Sequence, residues 1–183
     1  MRIIAGEWRG RPVTAPEGRA TRPTSDRARE GLFSMLLSRL GTFEGLQVAD
    51  LFAGTGALGL EALSRGAAHC LFVDNDREAV ESIRRNLGTF GASGRADIRA
   101  QGVEHIPAPP RPCDLIFLDP PYRTGLAEMA LRRLGDPAWI APGGLVSVET
   151  EGALPVPDGF ERDTERRFGK ARIHLFRRVG SGS

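Results

Sequence analysis

Three short stretches of this 183-residue chain hold residue types and spacings that can do chemistry. They are Asp119-Pro120-Pro121-Tyr122, the glycine loop from Gly54 to Gly59 with Asp50 ahead of it, and Asp74-Asn75-Asp76. In the first, the Asp119 carboxylate and the Pro120 carbonyl are both hydrogen-bond acceptors, and Tyr122 offers a flat face. A planar ring with an exocyclic NH2 satisfies all three. The plain alternative is a strand that ends in a proline-rich turn.

The second stretch, Gly54, Gly56 and Gly59, fits G-x-G-x-x-G, with Asp74 about twenty residues beyond. Alone it reads equally as a pyrophosphate-binding loop, and an NAD-dependent oxidoreductase fits the glycines. Asp50 argues otherwise, because a carboxylate there repels pyrophosphate and attracts an ammonium group. S-adenosylmethionine carries an ammonium and a sulfonium and no phosphate. The backbone of Gly54 and Gly56 can approach its amino-acid part, and Asp74 with Asn75 can receive its ribose hydroxyls. A methyl donor beside an amine clamp reads as a methyltransferase with Asp119, Pro120 and Tyr122 at the reacting amine, and Asp119 also borders the donor.

These residues need elements that bring them to one edge. Leu115-Ile116-Phe117-Leu118 is an apolar run of buried-strand length, stopped by two prolines that lack N–H donors. Gln47–Phe52 and Cys70–Val73 are similar strands ending at the glycine loop and at Asp74, with a third near Ile98 and another over Leu145–Glu149. Helices alternate with them: after the glycine loop to about Arg65, from a cap at Asn75 or Asp76 through Leu87, and from about Leu126 to Leu134. Such alternation predicts an α/β fold with a parallel sheet covered on both faces, whose strand carboxyl ends form the site.

Upstream, Thr24 or Ser25 caps a helix with apolar positions Ala28, Leu32, Phe33, Leu36, Leu37 and Leu40, closed by Gly41. Residues 1–24, punctuated by glycines and prolines, read as a small β-hairpin or arm. At the other end, Phe160–Phe168 and Ala171–Arg178 form a hairpin joined at Gly169-Lys170, with 180–183 a disordered tail.

Composition sets outer bounds. The chain is 40% hydrophobic and 26% charged, with a net charge of +2, as expected of a globular domain. No run of about 18 apolar residues and no charged-then-apolar leader occurs, so neither a membrane span nor a secretory signal is expected and the cytoplasm is the expected compartment. Cys70 and Cys113 form no CxxC pair and no Cys/His cluster, which argues for buried thiols and against a metal site. His69, His105 and His174 are far apart and read as structural. Lys170 is the single lysine, and arginines cluster near the start, where Arg9, Arg11, Arg22 and Arg27 could contact RNA phosphates.

Asp50-Leu-Phe-Ala-Gly54-Thr-Gly56-Ala-Leu-Gly59, Val73-Asp74-Asn-Asp76 and Asp119-Pro-Pro-Tyr122 resemble the motifs of class I, Rossmann-like methyltransferases. More narrowly, Arg9-Gly10-Arg11, Arg22-Pro23-Thr24-Ser25-Asp26-Arg27 with Arg29-Glu30, and Phe168-Gly169-Lys170 resemble the RsmD family. The resemblance covers nearly the whole chain. It implies a mostly parallel seven-stranded sheet with an antiparallel C-terminal hairpin, and a methyltransferase domain over 25–179 behind the arm. The reaction implied is methylation of the N2 amine of a guanine in small-subunit ribosomal RNA, free or in the assembled subunit. A metal-free monomer is expected. An adenine-N6 methyltransferase is the runner-up, since Asp-Pro-Pro-Tyr serves any planar amine. A protein or small-molecule methyltransferase and a non-catalytic RNA-binding protein are further alternatives. The sequence departs from the common pattern after the third strand, where Gln101-Gly102-Val103-Glu104 stands in place of an acid for the adenine amine. Backbone amides of Gly102 and Val103 are the expected substitute.

Overall fold

The computed structural model describes residues 1–16, 23–121 and 125–180, with the side chains of the first helix described from Asp26 onward. Tyr122, Arg22 and most of the C-terminal tail lie outside the described residues, as do the side chains of Thr24 and Ser25.

Seven strands form one sheet in the order β3-β2-β1-β4-β5-β7-β6. The strands are β1 Gln47–Leu51, β2 His69–Val73, β3 Ala96–Arg99, β4 Cys113–Leu118, β5 Ile140–Thr150, β6 Phe160–Phe168 and β7 Ala171–Arg178. β1 to β5 are parallel, and β7 and β6 add antiparallel at the edge. Among the described residues the α-helices are α1 Pro23–Leu40, α2 Ala57–Ser64, α3 Arg77–Thr89 and α4 Leu126–Leu134. This is the Rossmann-like class I methyltransferase architecture expected.

Alternation along the strands divides the core. Val48, Phe72, Leu115, Phe117 and Leu145 face α1, α2 and α3. Leu51, Val73, Ile116, Leu118 and Val146 face α4 and the fully buried Trp139 on the other side. Burial on both faces explains why the central strands are apolar throughout. Burial also pushes both cysteine thiols up, that of Cys113 to about 12, so they stay protonated.

Local details differ from the expectations in two places. α1 begins at Pro23, whose fixed φ suits a first helical position, so Thr24 and Ser25 lie within its first turn rather than before it. Leu37 is 45% exposed, and Met35 is buried in its place. Residues 1–16 include a small antiparallel pairing, with one bridge between Arg2 and Pro12 flanked by Ile3 N donating to Arg11 O at 3.0 Å and Val13 N to Met1 O at 2.8 Å. They dock as a folded strap whose Ile3, Trp8 and Val13 belong to the core of α1 and α3.

The strap is held from below by α2. Buried Glu61 accepts from the amides of Ile4 and Ala5 at 2.8 and 3.1 Å. Ser64 accepts from Glu7 N and Trp8 N at 2.8 and 3.0 Å. Trp8 stacks on Phe90 with centroids 4.9 Å apart, and the guanidinium groups of Arg95 and Arg11 cap the two outer faces of that pair.

Candidate active site

The chain reverses direction across the sheet between β1 and β4, which opens a crevice at their carboxyl ends. Residue pairing puts Leu51 beside Leu118, so the chain leaves these two neighbouring strands at one level, one toward the glycine loop and the other toward Asp119. A cavity of about 270 Å³ lies there, with Asp50, Gly54, Thr55, Asp119 and Arg29 in its wall.

The glycine loop starts with an unusual turn. Phe52 has φ 61, a left-handed conformation costly for a side chain with a Cβ, and Gly54 and Gly56 follow at φ 58 and 81. Gly56 precedes the first residue of α2. Gly59 is required for a different reason: a Cβ there would stand 2.4 Å from the Phe72 ring and 2.7 Å from the Cys70 sulfur. It lets α2 sit directly on β2.

Asp50 is buried and accepts the Gly59 amide proton at 3.0 Å. Burial pushes its carboxyl up to about 8; the Gly59 hydrogen bond opposes this and the Asp74 charge adds to it. An acid so placed is stabilised in its ionised form by a bound cation. Asp74 orders the neighbouring loop, its two oxygens accepting from Gly54 N and Asp76 N, both at 2.9 Å. Each oxygen retains a lone pair for a ligand hydroxyl. Asn75 follows it at the end of β2.

Of the expected cofactor residues, Asp50, Gly54 and Asp119 share the cavity, whereas Gly56, Asp74, Asn75, Gly102 and Val103 do not line it. The last four occupy the adjoining carboxyl ends of β2 and β3. Val103 starts a short 3-10 turn, with its side chain buried and its carbonyl accepting from Arg133. The second Arg133 nitrogen holds Ile106 O at 2.7 Å, fixing the turn against α4.

Asp119 is exposed and Pro120 buried. The turn they form divides two cavities: Asp119 lines the first, Pro120 and Pro121 the second, and Glu149 at the end of β5 lines both. Behind the second cavity, buried His174 fixes the corner after β5. Arg162 can only donate, so its 2.9 Å contact makes His174 Nδ1 an acceptor and places the ring proton on Nε2, which faces Thr150 Oγ1 at 2.9 Å and Gly152 O at 3.2 Å. Burial holds the His174 pKa below its ordinary value.

The expected RNA-contact residues divide between the two ends of the sheet. Arg27 is exposed in the first turns of α1. Arg9 and Arg11 follow Trp8, which is tied to the last residue of α2, so they sit at the amino-terminal edge of the parallel strands, opposite Asp119. Arg11 also donates to Thr89 O at 3.1 Å, at the last residue of α3.

A family model described as conserved hypothetical protein 95 matches residues 1–177. The chain belongs to the RsmD family. Among its RsmD relatives, "Ribosomal RNA small subunit methyltransferase D" of Escherichia coli strain K12 is 36% identical, covering 100% of this chain and 92% of that protein. The protein of the same name from Haemophilus influenzae is 35% identical, over 96% and 93% of the two chains. A solved structure described as a putative methyltransferase from Escherichia coli superposes with TM-score 0.85 at 36% identity, covering 99% of each chain. The fold reaches beyond RsmD proteins: a [4+2]-cyclase at 14% identity still has TM-score 0.68. Fold alone therefore does not fix the reaction.

Site residues without a local sequence signal include Ser147 and Glu149, which β5 contributes to the wall only through its pairing with β4. Arg29 also lines it, from a motif that does not say what Arg29 faces. It is 7% exposed, donates to Arg2 O at 2.7 Å, and lies 3.7 Å from Glu61, while its Nε and Nη1 make no hydrogen bond among the described residues. Glu61 did carry a signal, as the one charged residue in the otherwise apolar α2.

Proposed function

We propose that the chain transfers the methyl group of S-adenosylmethionine to the exocyclic N2 amine of a guanine in small-subunit ribosomal RNA. The observation that carries this reading is the single cavity wall shared by Asp50, Gly54 and Asp119 at the switch point of the sheet. The choice of ribosomal RNA and guanine rests on the RsmD relatives and the Arg-Pro-Thr block.

The residues present fit the donor. Its amino-acid end is zwitterionic, and the wall offers a buried acid, Asp50, and a buried guanidinium, Arg29, two of whose nitrogens make no hydrogen bond among the described residues. Asp74 and Asn75 would receive the ribose hydroxyls, and the amides of Gly102 and Val103 the adenine edge. When bound, the donor supplies an electrophilic methyl group on sulfur, with a neutral thioether as leaving group.

Guanine's amine is a poor nucleophile because its lone pair is delocalised into the ring. Asp119 and the Pro120 carbonyl accept its two N–H bonds, which favours a pyramidal nitrogen with its lone pair directed toward the donor. Tyr122 stacks on the base and keeps it out of its own helix, where stacking is worth about 1–3 kcal/mol. Unpaired loops are the easiest substrate, since flipping a paired base costs a few kcal/mol. Arg27 would contact RNA near the cavity, and Arg9 and Arg11 at the opposite edge, a separation that suits a substrate as large as a ribosomal subunit; Arg22 is assigned to the same RNA. The chain acts as a cytoplasmic monomer without a metal.

The test supplies radiolabelled S-adenosylmethionine with undermethylated small-subunit RNA and with assembled subunits, then identifies the modified nucleoside by mass spectrometry. N2-methylguanosine is expected. Methyladenosine would overturn the base assignment, and no incorporation into either substrate would overturn the reaction.

A further inference from the structure

We infer that the tip of the β6–β7 hairpin, through Arg166, Arg167 and Lys170, grips the RNA backbone beside the target base. This rests on the RNA methyltransferase reading above and adds to it the surface that holds the substrate at the catalytic edge.

Register places the tip. Leu118 pairs with Val148, and Val148 with His174, so the residue level after Leu118, where Asp119 begins, corresponds to Glu149 on β5 and Ile173 on β7. Ile173 in turn pairs with Arg166, and one level further out Thr150, Arg172 and Arg167 lie in a row. Three strand spacings separate Asp119 from Arg166, about 14 Å at roughly 4.8 Å each. Arg167 and Lys170 project beyond that level, off the same edge of the sheet. The span from the tip to Asp119 is a few nucleotides of single strand. Arg9 and Arg11 lie at the other end of the strands and cannot serve this purpose.

Charge at the tip is left uncompensated by the hairpin's own acids. Asp163 is engaged by Arg39 at 2.7 Å and Arg177 at 3.1 Å. Glu165 is engaged by Arg172 at 3.3 Å and Arg162 at 3.6 Å. From Arg166 to Ala171 there are three basic residues and no acid, and among the described residues none of those three forms an ion pair. Arg166, Arg167 and Lys170 are all exposed.

The tip is also held in place. Phe168 packs against α1 where Gly31 leaves room, since a Cβ there would stand 2.3 Å from the ring. Arg166 lies over the outer part of the same ring, 5.3 Å from its centroid. A basic tip fixed at the level of the reacting carboxylate fits a polyanion passing over that carboxylate better than a solvated charged loop.

The test uses Arg167→Gln with Lys170→Gln, and as a control Arg84→Gln with Arg85→Gln on α3. Binding of target-loop RNA is measured against salt, together with S-adenosylhomocysteine affinity. The hairpin variant is expected to lower the slope of log affinity against log salt by about 0.7 for each lost phosphate contact, near 1.4 in total. RNA KM should rise at least tenfold with S-adenosylhomocysteine affinity unchanged, and the control pair should keep the wild-type slope. An unchanged slope in a variant of a wild-type enzyme that methylates the RNA would overturn the inference alone. An effect seen on assembled subunits but not on naked RNA would make the partner a ribosomal protein and overturn it too. A wild-type chain that methylates no RNA would instead remove the functional reading beneath it.

Discussion

The side-chain amide of Asn86 donates to the carbonyl of Thr55 in the glycine loop at 3.2 Å. The same amide donates to Thr14 O at 3.0 Å and its oxygen accepts from Thr14 N at 2.9 Å, so one buried residue on α3 joins the strap to the cofactor loop. Asn86→Ala leaves these backbone groups without partners and is expected to cost roughly 2–4 kcal/mol of stability. Chemical denaturation measures this, and S-adenosylhomocysteine binding should weaken along with it. A midpoint equal to wild type would show that water replaces the amide without penalty.

Asp119 is assigned chiefly to the reacting amine, although it also borders the cofactor. Asp119→Ala should lower kcat by about 10²–10³-fold, the range for losing one well-placed hydrogen-bond partner of a transition state. S-adenosylhomocysteine affinity, read by calorimetry, should stay within a few-fold of wild type. Near-normal turnover would remove Asp119 from the mechanism.

Asp50 makes cofactor binding depend on pH. Its carboxyl, pushed to about 8 by burial, is mostly protonated at neutral pH and must ionise to meet the ammonium group. S-adenosylhomocysteine affinity should therefore rise from pH 6 toward 8, with proton release visible as a buffer-dependent binding enthalpy. Methylthioadenosine, which lacks the amino-acid end, should show neither effect. In the ligand-free protein the linkage has the opposite sense: stability from this raised pKa is present below about 3.8 and lost as pH rises through about 8.

His174 responds to pH in the other direction. Its pKa is held below 6.5, so its contribution is present above that value and lost as pH falls. His174→Gln should remove this acid sensitivity from thermal unfolding curves, while a Tm–pH profile identical to wild type would place the sensitivity elsewhere.

Gly59→Ala tests the contact between α2 and β2. The added methyl group meets the Phe72 ring and the Cys70 sulfur, both walled in by core, and overpacking of this kind costs about 1–3 kcal/mol. Because the Gly59 amide also holds Asp50, the variant should weaken cofactor binding beyond what its stability loss predicts.

Much of this was legible in the residues. The apolar runs before Asp50, Asp74 and Asp119 marked strands, and the breakers after them marked the edge where the site would stand. α4 falls over the residues that periodicity assigned to it. The glycines and prolines of the N-terminal segment report its turns, whereas its docking depends on partners more than fifty residues away, such as Glu61 and Asn86. Leu37 was assigned to the buried face on spacing alone, and only the packing of α1 decides which side of the stripe the core covers. Ser147 and Glu149 enter the cavity through tertiary placement, which no local pattern encodes, and the motif that contains Arg29 does not say what Arg29 faces.

The strap has a consequence for how the chain is made. Ile4 and Ala5 wait for Glu61, 57 and 56 residues downstream, and Thr14 waits for Asn86, 72 residues downstream. At about 5–20 residues per second, several seconds of synthesis pass with Ile3, Trp8 and Val13 lacking the surfaces that bury them. Until those partners emerge, the apolar side chains of this segment are open to a chaperone.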